Sequence, residues 1–159
     1  MNRLLSLIAA AGIGLTASHA AASSSCTTPQ NVNDMASEIA AGVNANRAAR
    51  GLQALQYNAT LGQAAMKHAC DMSVNNFFGH SGSDGSSVGR RVQAEGYRSC
   101  LTAENLAWGY PTSGQIISGW MNSSGHRSNM LLRDAQEMGI GITQGPRGPN
   151  WVLVLAKGC

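Results

Sequence analysis

The N-terminal residues constrain this chain most, because they indicate the compartment in which it folds. Met1–Arg3 form a short basic start, Leu4–Leu15 an apolar run, and Ala20 and Ala22 supply the small residues that a signal peptidase requires. The apolar run is about a dozen residues long, whereas a membrane span needs about 20. We therefore predict a secretory signal peptide over residues 1–22 and no stable membrane insertion.

The rest of the chain has the size and composition of one small domain in an oxidising compartment. Of the 159 residues, 137 follow residue 22, which is enough for one domain but not for two. All four cysteines lie in this part, and an even number of cysteines in a secreted chain predicts two disulfides rather than a metal cluster. The formal net charge is +3, but the charges are scattered without a basic block, which does not favour nucleic acid as a partner.

The order of predicted elements places the domain in the α+β class. Residues 23–33 are small and polar and predict a flexible lead-in, so the domain is expected over residues 34–159. Apolar periodicity and capping signals predict helices at 34–50, 60–74, 87–94 and 112–120, and strands at 104–108, 138–143 and 151–156. The last two strands flank a turn rich in Gly and Pro, which is typical of an antiparallel hairpin. Helices followed by a small sheet give a single α+β domain.

Two histidines lie in polar segments rich in Gly and Ser. His80 is in FFGHSG and His126 is in SSGHRSN. A histidine in a glycine-bounded loop has room to point its imidazole at a ligand, although each could also simply hydrogen-bond the loop backbone. His68 lies inside a predicted helix and is expected to be an ordinary solvated or capped side chain rather than a ligand.

Glu104 is an acid in a segment that is otherwise half buried. An unpaired buried carboxylate is very costly, so Glu104 needs a cationic, metal or hydrogen-bonding partner. His80 and His126 are candidates. The alternative is a buried ion pair with one of three arginines, namely Arg90, Arg91 and Arg127.

Several short segments follow one another in an order that resembles a known superfamily. FGHS at 78–81 is followed by AENL at 103–106, by Trp120 with SGHRSNML at 124–131, and by MGIG at 138–141. In this order the chain resembles the superfamily of cysteine-rich secretory proteins, antigen 5 and plant pathogenesis-related proteins, called CAP or SCP. It is most similar to the short bacterial secreted branch of that superfamily.

The resemblance implies an α-β-α sandwich with a small central antiparallel sheet and a polar cleft. His80, Glu104 and His126 fall on three of the four cleft positions of the family, with Asn105 beside them. The fourth position is an acid in many members and is Ser123 here. Two imidazoles and a carboxylate are ligands that suit zinc, so zinc is the expected cofactor and these three residues its expected ligands. Without the fourth acid, we expect weak binding.

The resemblance favours a secreted binding module that engages a small molecule, lipid, glycan or protein. The alternative is a metal-dependent hydrolase with Glu104 as its base. This alternative is less favoured, because the chain lacks both the H-E-x-x-H motif and the G-x-S-x-G motif. A third possibility is a scaffold in which the polar cluster only locks loops together.

Four cysteines allow three disulfide pairings. We expect Cys70 to pair with Cys100, which would tie the second helix to the segment entering Glu104. Cys26 would then pair with Cys159 and join the ends of the domain.

Overall fold

The fold is known from a computed structural model that describes residues 26–145 and 147–159. The predicted signal peptide over residues 1–22 lies outside the described residues. The elements, in chain order, are α1 Val32–Ala48, β1 Gln56–Tyr57, α2 Ala59–Val74, α3 Val88–Ala94, β2 Ser99–Trp108, α4 Ser113–Asn122, α5 Ser124–Met130, β3 Glu137–Gly145 and β4 Gly148–Gly158.

The four strands form one sheet in the order β1-β3-β4-β2. The predicted hairpin is present as β3 and β4, and β2 pairs antiparallel with β4, so that β2 is an edge strand. The sheet is mixed rather than wholly antiparallel, because β1 pairs parallel with β3. Two residues are too few to produce a period-two pattern, which is why sequence periodicity did not reveal β1.

Alternate residues of β4 face two different helix layers. Trp151, Leu153 and Leu155 are buried in a cluster with apolar residues of α1 and α4. Val152 and Val154 are buried in a second cluster with α2 and α3. This period-two alternation places helices on both faces of the sheet. The predicted α+β class and the single α-β-α sandwich are thereby confirmed.

Helix α2 lies unusually close to β3, and two glycines permit the approach. A Cβ at Gly139 would stand 2.1 Å from the carbonyl carbon of Leu61, and a Cβ at Gly141 would stand 2.3 Å from that of Ala65. Both atoms belong to the backbone of α2, so no rotamer change could relieve the clash. The MGIG segment therefore sets the distance between the helix and the sheet.

A buried arginine fixes the segment between α5 and β3. Arg47, at the end of α1, is fully buried and donates hydrogen bonds to the carbonyls of Met130, Leu132 and Ala135. Its Nε also donates to the carbonyl of Gln53. These bonds satisfy the guanidinium and hold the C-terminal end of α5 against the core.

The chain has two disulfides, as predicted, but the predicted pairing is wrong. Cys26 pairs with Cys70, and Cys100 pairs with Cys159. The antiparallel pairing of β2 with β4 explains the second bond, because it sets the start of β2 beside the end of the chain. The sequence prediction began this strand at residue 104 and so missed the neighbourhood of Cys100.

Two boundaries also differ from the sequence prediction. Helix α1 begins at Val32 rather than residue 34, and the disulfide of Cys26 and a bridge from Thr27 to Gln144 attach the preceding segment to the domain. Of the predicted lead-in over residues 23–33, the described residues 26–33 are attached to the domain, and residues 23–25 lie outside the described residues. The segment containing His126 is the helix α5 rather than a loop. Its exposed small and polar residues carry no apolar stripe that could have predicted it.

Candidate functional site

Glu104 on β2 is the centre of a buried polar cluster. Its side chain is 2% exposed, and its two oxygens have different partners. The imidazole Nδ1 of His80 donates to Oε1 over 2.9 Å, and Nη2 of Arg91 donates to Oε2 over 2.6 Å. Of the partners considered for Glu104 in the sequence, the structure therefore selects one histidine and one arginine together.

Arg91 also fixes the loop that carries His80. Its Nη1 donates to the carbonyl of His80 over 3.0 Å and to that of Ser86 over 2.8 Å. A single guanidinium on α3 thus joins two points of the loop between α2 and α3 to the carboxylate on β2. The fork of donors in arginine suits this bridging role, which a lysine could not reproduce.

Two asparagines, Asn129 on α5 and Asn105 on β2, connect these two elements. Asn129 Nδ2 donates to the backbone carbonyl of Glu104 over 3.1 Å and to Oδ1 of Asn105 over 2.9 Å. Asn105 is fully buried and donates in turn to the carbonyl of His126 over 2.9 Å. Successive residues of a strand point to opposite faces, so Glu104 reaches the loop before α3 while Asn105 reaches α5.

The pKa of His126 depends on its burial and on the charge of His80. Burial lowers the pKa of His126 below its usual value, and the charge that His80 carries when protonated lowers that pKa further. A neutral imidazole at position 126 is therefore favoured at pH 7.

A cavity of about 370 Å³ opens beside His126. Its wall is mostly apolar and aromatic and includes Phe78, Trp108 and Tyr110, which are large hydrophobic side chains that remain exposed. Ser123 lies in the same wall. The cavity therefore combines a wide apolar surface with a small number of polar groups, as ligand sites usually do.

Local contacts hold the aromatic wall in place. The Phe78 and Trp108 rings meet edge to face with centroids 6.2 Å apart, and the guanidinium of Arg147 lies 4.6 Å from the centroid of the Trp108 ring. Buried Trp151 donates its indole N–H to the carbonyl of Tyr110 over 3.0 Å. Edge-to-face and cation–π contacts of this kind favour a defined ring orientation.

The structure thus brings the residues selected from the sequence into two adjoining parts. His80 and Glu104 are in direct contact, and Asn105 connects β2 to the helix of His126. Ser123 and His126 line the cavity. Sequence reasoning did not find the aromatic wall, because no pattern in the sequence brings position 78 next to position 108.

Whether Glu104 could be a metal ligand depends on the hydrogen bonds that its carboxylate already makes. Both of its carboxylate oxygens are engaged by His80 and Arg91, so Glu104 orients an imidazole rather than serving as a third ligand. Over the residues described, no three His, Cys, Asp or Glu side chains are grouped so that they could hold a metal ion. Of the three ligands expected from the sequence, the imidazoles of His80 and His126 remain as candidates. The same engagement of Glu104 does not favour the base role that the hydrolase alternative requires.

The profile of the cysteine-rich secretory protein family matches residues 40–155, which is most of the chain. The chain belongs to this family. The match confirms the resemblance that the FGHS, AENL, SGHRSNML and MGIG segments suggested, and it includes every proposed residue of the cleft.

The relatives of this family member include bacterial proteins. It is 31% identical over 118 residues to the uncharacterized protein YkwD of Bacillus subtilis, which covers 74% of this chain and 46% of YkwD. It is 33% identical over 100 residues to the uncharacterized membrane protein YlbC of the same organism, covering 62% of this chain and 29% of YlbC. The chain therefore spans less than half the length of these curated relatives.

Solved structures show the same fold. An extracellular protein containing an SCP domain from Bacillus anthracis superposes with a TM-score of 0.72 at 26% identity, covering 79% of this chain and 41% of that one. An outer surface protein from Borrelia burgdorferi superposes with a TM-score of 0.75 at 20% identity, covering 85% and 100%. In the described part of the present chain, none of the helices has the length and apolar character needed to span a membrane.

Proposed function

We propose that this family member is a secreted module that binds a small amphiphilic molecule of lipid type in its cleft. The apolar part of the ligand would occupy the cavity walled by Phe78, Trp108 and Tyr110. The polar end of the ligand would lie at His126, the imidazole whose pKa the charge of His80 lowers. The observation that carries the proposal is this aromatic cavity directly beside a buried polar cluster.

The size and lining of the cavity favour a lipid over a glycan. A volume of about 370 Å³ lies within the range of sites that enclose small molecules. A sugar needs many hydrogen-bonding partners, whereas apolar groups dominate the wall and the indole N–H of Trp120 is already donated to the carbonyl of Leu106. An acyl chain or ring system would instead gain from removing exposed aromatic surface from water.

Secretion is supported by chemistry as well as by relatives. Two disulfides and no free cysteine are present among the described residues, which suits an oxidising compartment. One structural neighbour is described as an extracellular protein. The predicted signal peptide agrees with this location.

The test is a titration with sodium dodecanoate below its micellar concentration, followed by amide chemical shifts. Resonances of the cavity wall should move in a saturable manner, and Trp108→Ala should weaken the affinity at least tenfold. Tyr57→Ala is the matched control, because Tyr57 is the most exposed large hydrophobic residue described, at 57%, and does not line this cavity. Equal weakening by the two variants would contradict the proposal. Saturable binding of a disaccharide but not of dodecanoate would also contradict it and would favour a glycan.

The hydrogen bond from His80 to Glu104 favours a second proposal, a weak divalent cation site at the two imidazoles. Since a carboxylate oxygen accepts from Nδ1, the proton of His80 lies on that atom, and Nε2 keeps its lone pair for a cation. His80 and His126 would hold the ion. A bound zinc ion would supply a Lewis-acidic position for an anionic ligand group.

Calorimetry with zinc chloride tests this second proposal. We expect one weak site that is lost in His80→Ala and in His126→Ala. Arg90→Ala is the control, because Arg90 is an exposed arginine next to Arg91 on the same helix. Unchanged zinc binding in both histidine variants would refute the assignment, and dodecanoate binding without zinc binding would leave only the lipid site.

A further inference from the structure

The imidazole of His68 on α2 has a ring nitrogen, Nδ1, in an unusual environment. Its side chain is buried, with 1% of the residue exposed, and its Nδ1 is the one buried side-chain nitrogen or oxygen in the described residues without a hydrogen-bond partner. Leaving such a group unpaired costs about 1–3 kcal/mol. An apolar residue at position 68 would avoid this cost, so the presence of an imidazole here requires an explanation.

The other ring nitrogen of His68, Nε2, provides an explanation for the imidazole at this position. Nε2 of His68 lies 2.9 Å from the carbonyl oxygen of Gly79, which can only accept. Burial lowers the pKa of His68, so the ring is neutral at pH 7 and carries a single N–H. That proton must lie on Nε2, which leaves Nδ1 as the bare acceptor.

Gly79 immediately precedes His80, so a hydrogen bond to the Gly79 carbonyl helps to fix the position of His80. The His80 side chain is 64% exposed, so packing does not hold it. Three polar contacts do so, each from a different element. Glu104 on β2 accepts from its ring, Arg91 on α3 donates to its carbonyl, and His68 on α2 donates to the carbonyl of the residue before it.

We infer that His68 is a positioning residue for His80, which it orients by donating a hydrogen bond from its Nε2 to the carbonyl of Gly79. The inference rests on the proposed function only for what His80 does once it is in place. It assigns a role in the cleft to a helical histidine that sequence reasoning had set aside, and it explains why the unpaired Nδ1 persists. The bond links the helix that packs on β3 to the loop that forms one side of the cleft.

Two substitutions separate positioning from ordinary core packing. His68→Met fills similar space without a donor, whereas the carboxamide of His68→Gln can still donate to Gly79. The readouts are the free energy of unfolding in urea at pH 7, the imidazole ¹⁵N shifts of His80, and hydrogen exchange of the amides at 79–82. His80→Gln identifies the His80 ring signals in the spectrum.

We expect His68→Met to change the free energy of unfolding little, since removal of the unpaired buried nitrogen offsets the loss of the hydrogen bond to the Gly79 carbonyl. It should nevertheless lose the single Nδ1–H tautomer signature of His80, and amide exchange at 79–82 should accelerate at least tenfold. His68→Gln should keep both properties. A destabilised His68→Met with unchanged His80 signals would overturn the inference, and so would loss of those signals in His68→Gln in a protein that remains folded.

None of these readouts requires a ligand or a metal ion. Failure of dodecanoate to bind would therefore remove the proposed function without affecting this inference. Conversely, unchanged His80 signals in His68→Met would remove the inference and leave the lipid and zinc proposals standing.

Discussion

Arg91 and Glu104 form a buried ion pair across the boundary between α3 and β2, with 2.6 Å between Nη2 and Oε2 and side chains that are 10% and 2% exposed. Removing one partner of a buried pair leaves an uncompensated charge, which costs about 3–5 kcal/mol. We therefore expect Arg91→Met to lower the free energy of unfolding by about that amount, as measured with urea at pH 7.

The neighbouring arginine provides a matched control for this variant. Arg90 is exposed, so Arg90→Ala should change stability by no more than about 0.5 kcal/mol. The double variant Arg91→Met/Glu104→Gln should regain part of the loss, because it no longer buries an unpaired carboxylate. If Arg91→Met proved as mild as Arg90→Ala, the ion pair would not organise the cleft.

Stability should depend on pH through two histidines, of which His68 is buried and His126 is half-buried. Burial lowers the pKa of both His68 and His126 below the usual 6.5. For His68, Glu104 and Asp71 oppose this shift, while Arg91 adds to it. Between pH 6.5 and the lowered values, the unfolded chain therefore binds more protons than the folded chain.

The free energy of unfolding should consequently be fully present above about pH 7 and should decrease as the pH falls below 6.5. Urea unfolding at intervals from pH 8 to pH 5.5 measures the slope. The double variant His68→Gln/His126→Gln should show a shallower slope in this interval. A parent protein that gained stability on acidification would show that the sign is wrong.

The disulfides offer a test of the corrected pairing. Cys26–Cys70 and Cys100–Cys159 close loops with sequence separations of 44 and 59. On the chain-entropy relation each bond stabilises by about 4 kcal/mol. Replacing either pair with Ser should lower the unfolding free energy by about that amount.

Peptide mapping without reduction identifies the bonds directly. We expect one linked peptide containing Cys26 with Cys70 and another containing Cys100 with Cys159. A peptide linking Cys70 to Cys100 would restore the pairing expected from the sequence and contradict the fold at the start of β2.

What the sequence could predict depended on whether the signal was local. The sequence predicts helices α1, α2 and α4 because each carries an apolar stripe or a capping residue such as Thr112. The two-residue strand β1 and the polar helix α5 carry no periodic signal, and they form because β3 and β2 lie beside them.

The site shows the same limit. A buried acid at position 104 implied a partner, but only the fold could select Arg91 from three arginines and add His80 to it. The role proposed for His68 was less accessible still. It depends on one contact between a helix and a backbone carbonyl 11 residues later, and the residue types alone do not encode that contact.

The close approach of α2 to β3 gives a prediction about the scaffold beneath the cleft. A Cβ on Gly141 would stand within 2.3–2.4 Å of three backbone atoms of Ala65 and Met66. Gly141→Ala must therefore push α2 away from the sheet. This should cost about 3 kcal/mol or more, the upper end of the usual penalty for overpacking.

Gly114 in α4 is the matched control, because a Cβ there meets no atom within 4 Å. Gly114→Ala should stabilise the protein by about 0.5–1 kcal/mol through helix propensity. Urea unfolding of the two variants tests the pair. Since α2 also carries His68, Gly141→Ala should disturb the His80 signals even in conditions where the protein stays folded. A Gly141→Ala protein with the stability and His80 spectrum of the parent would show that α2 does not set the position of the cleft loop.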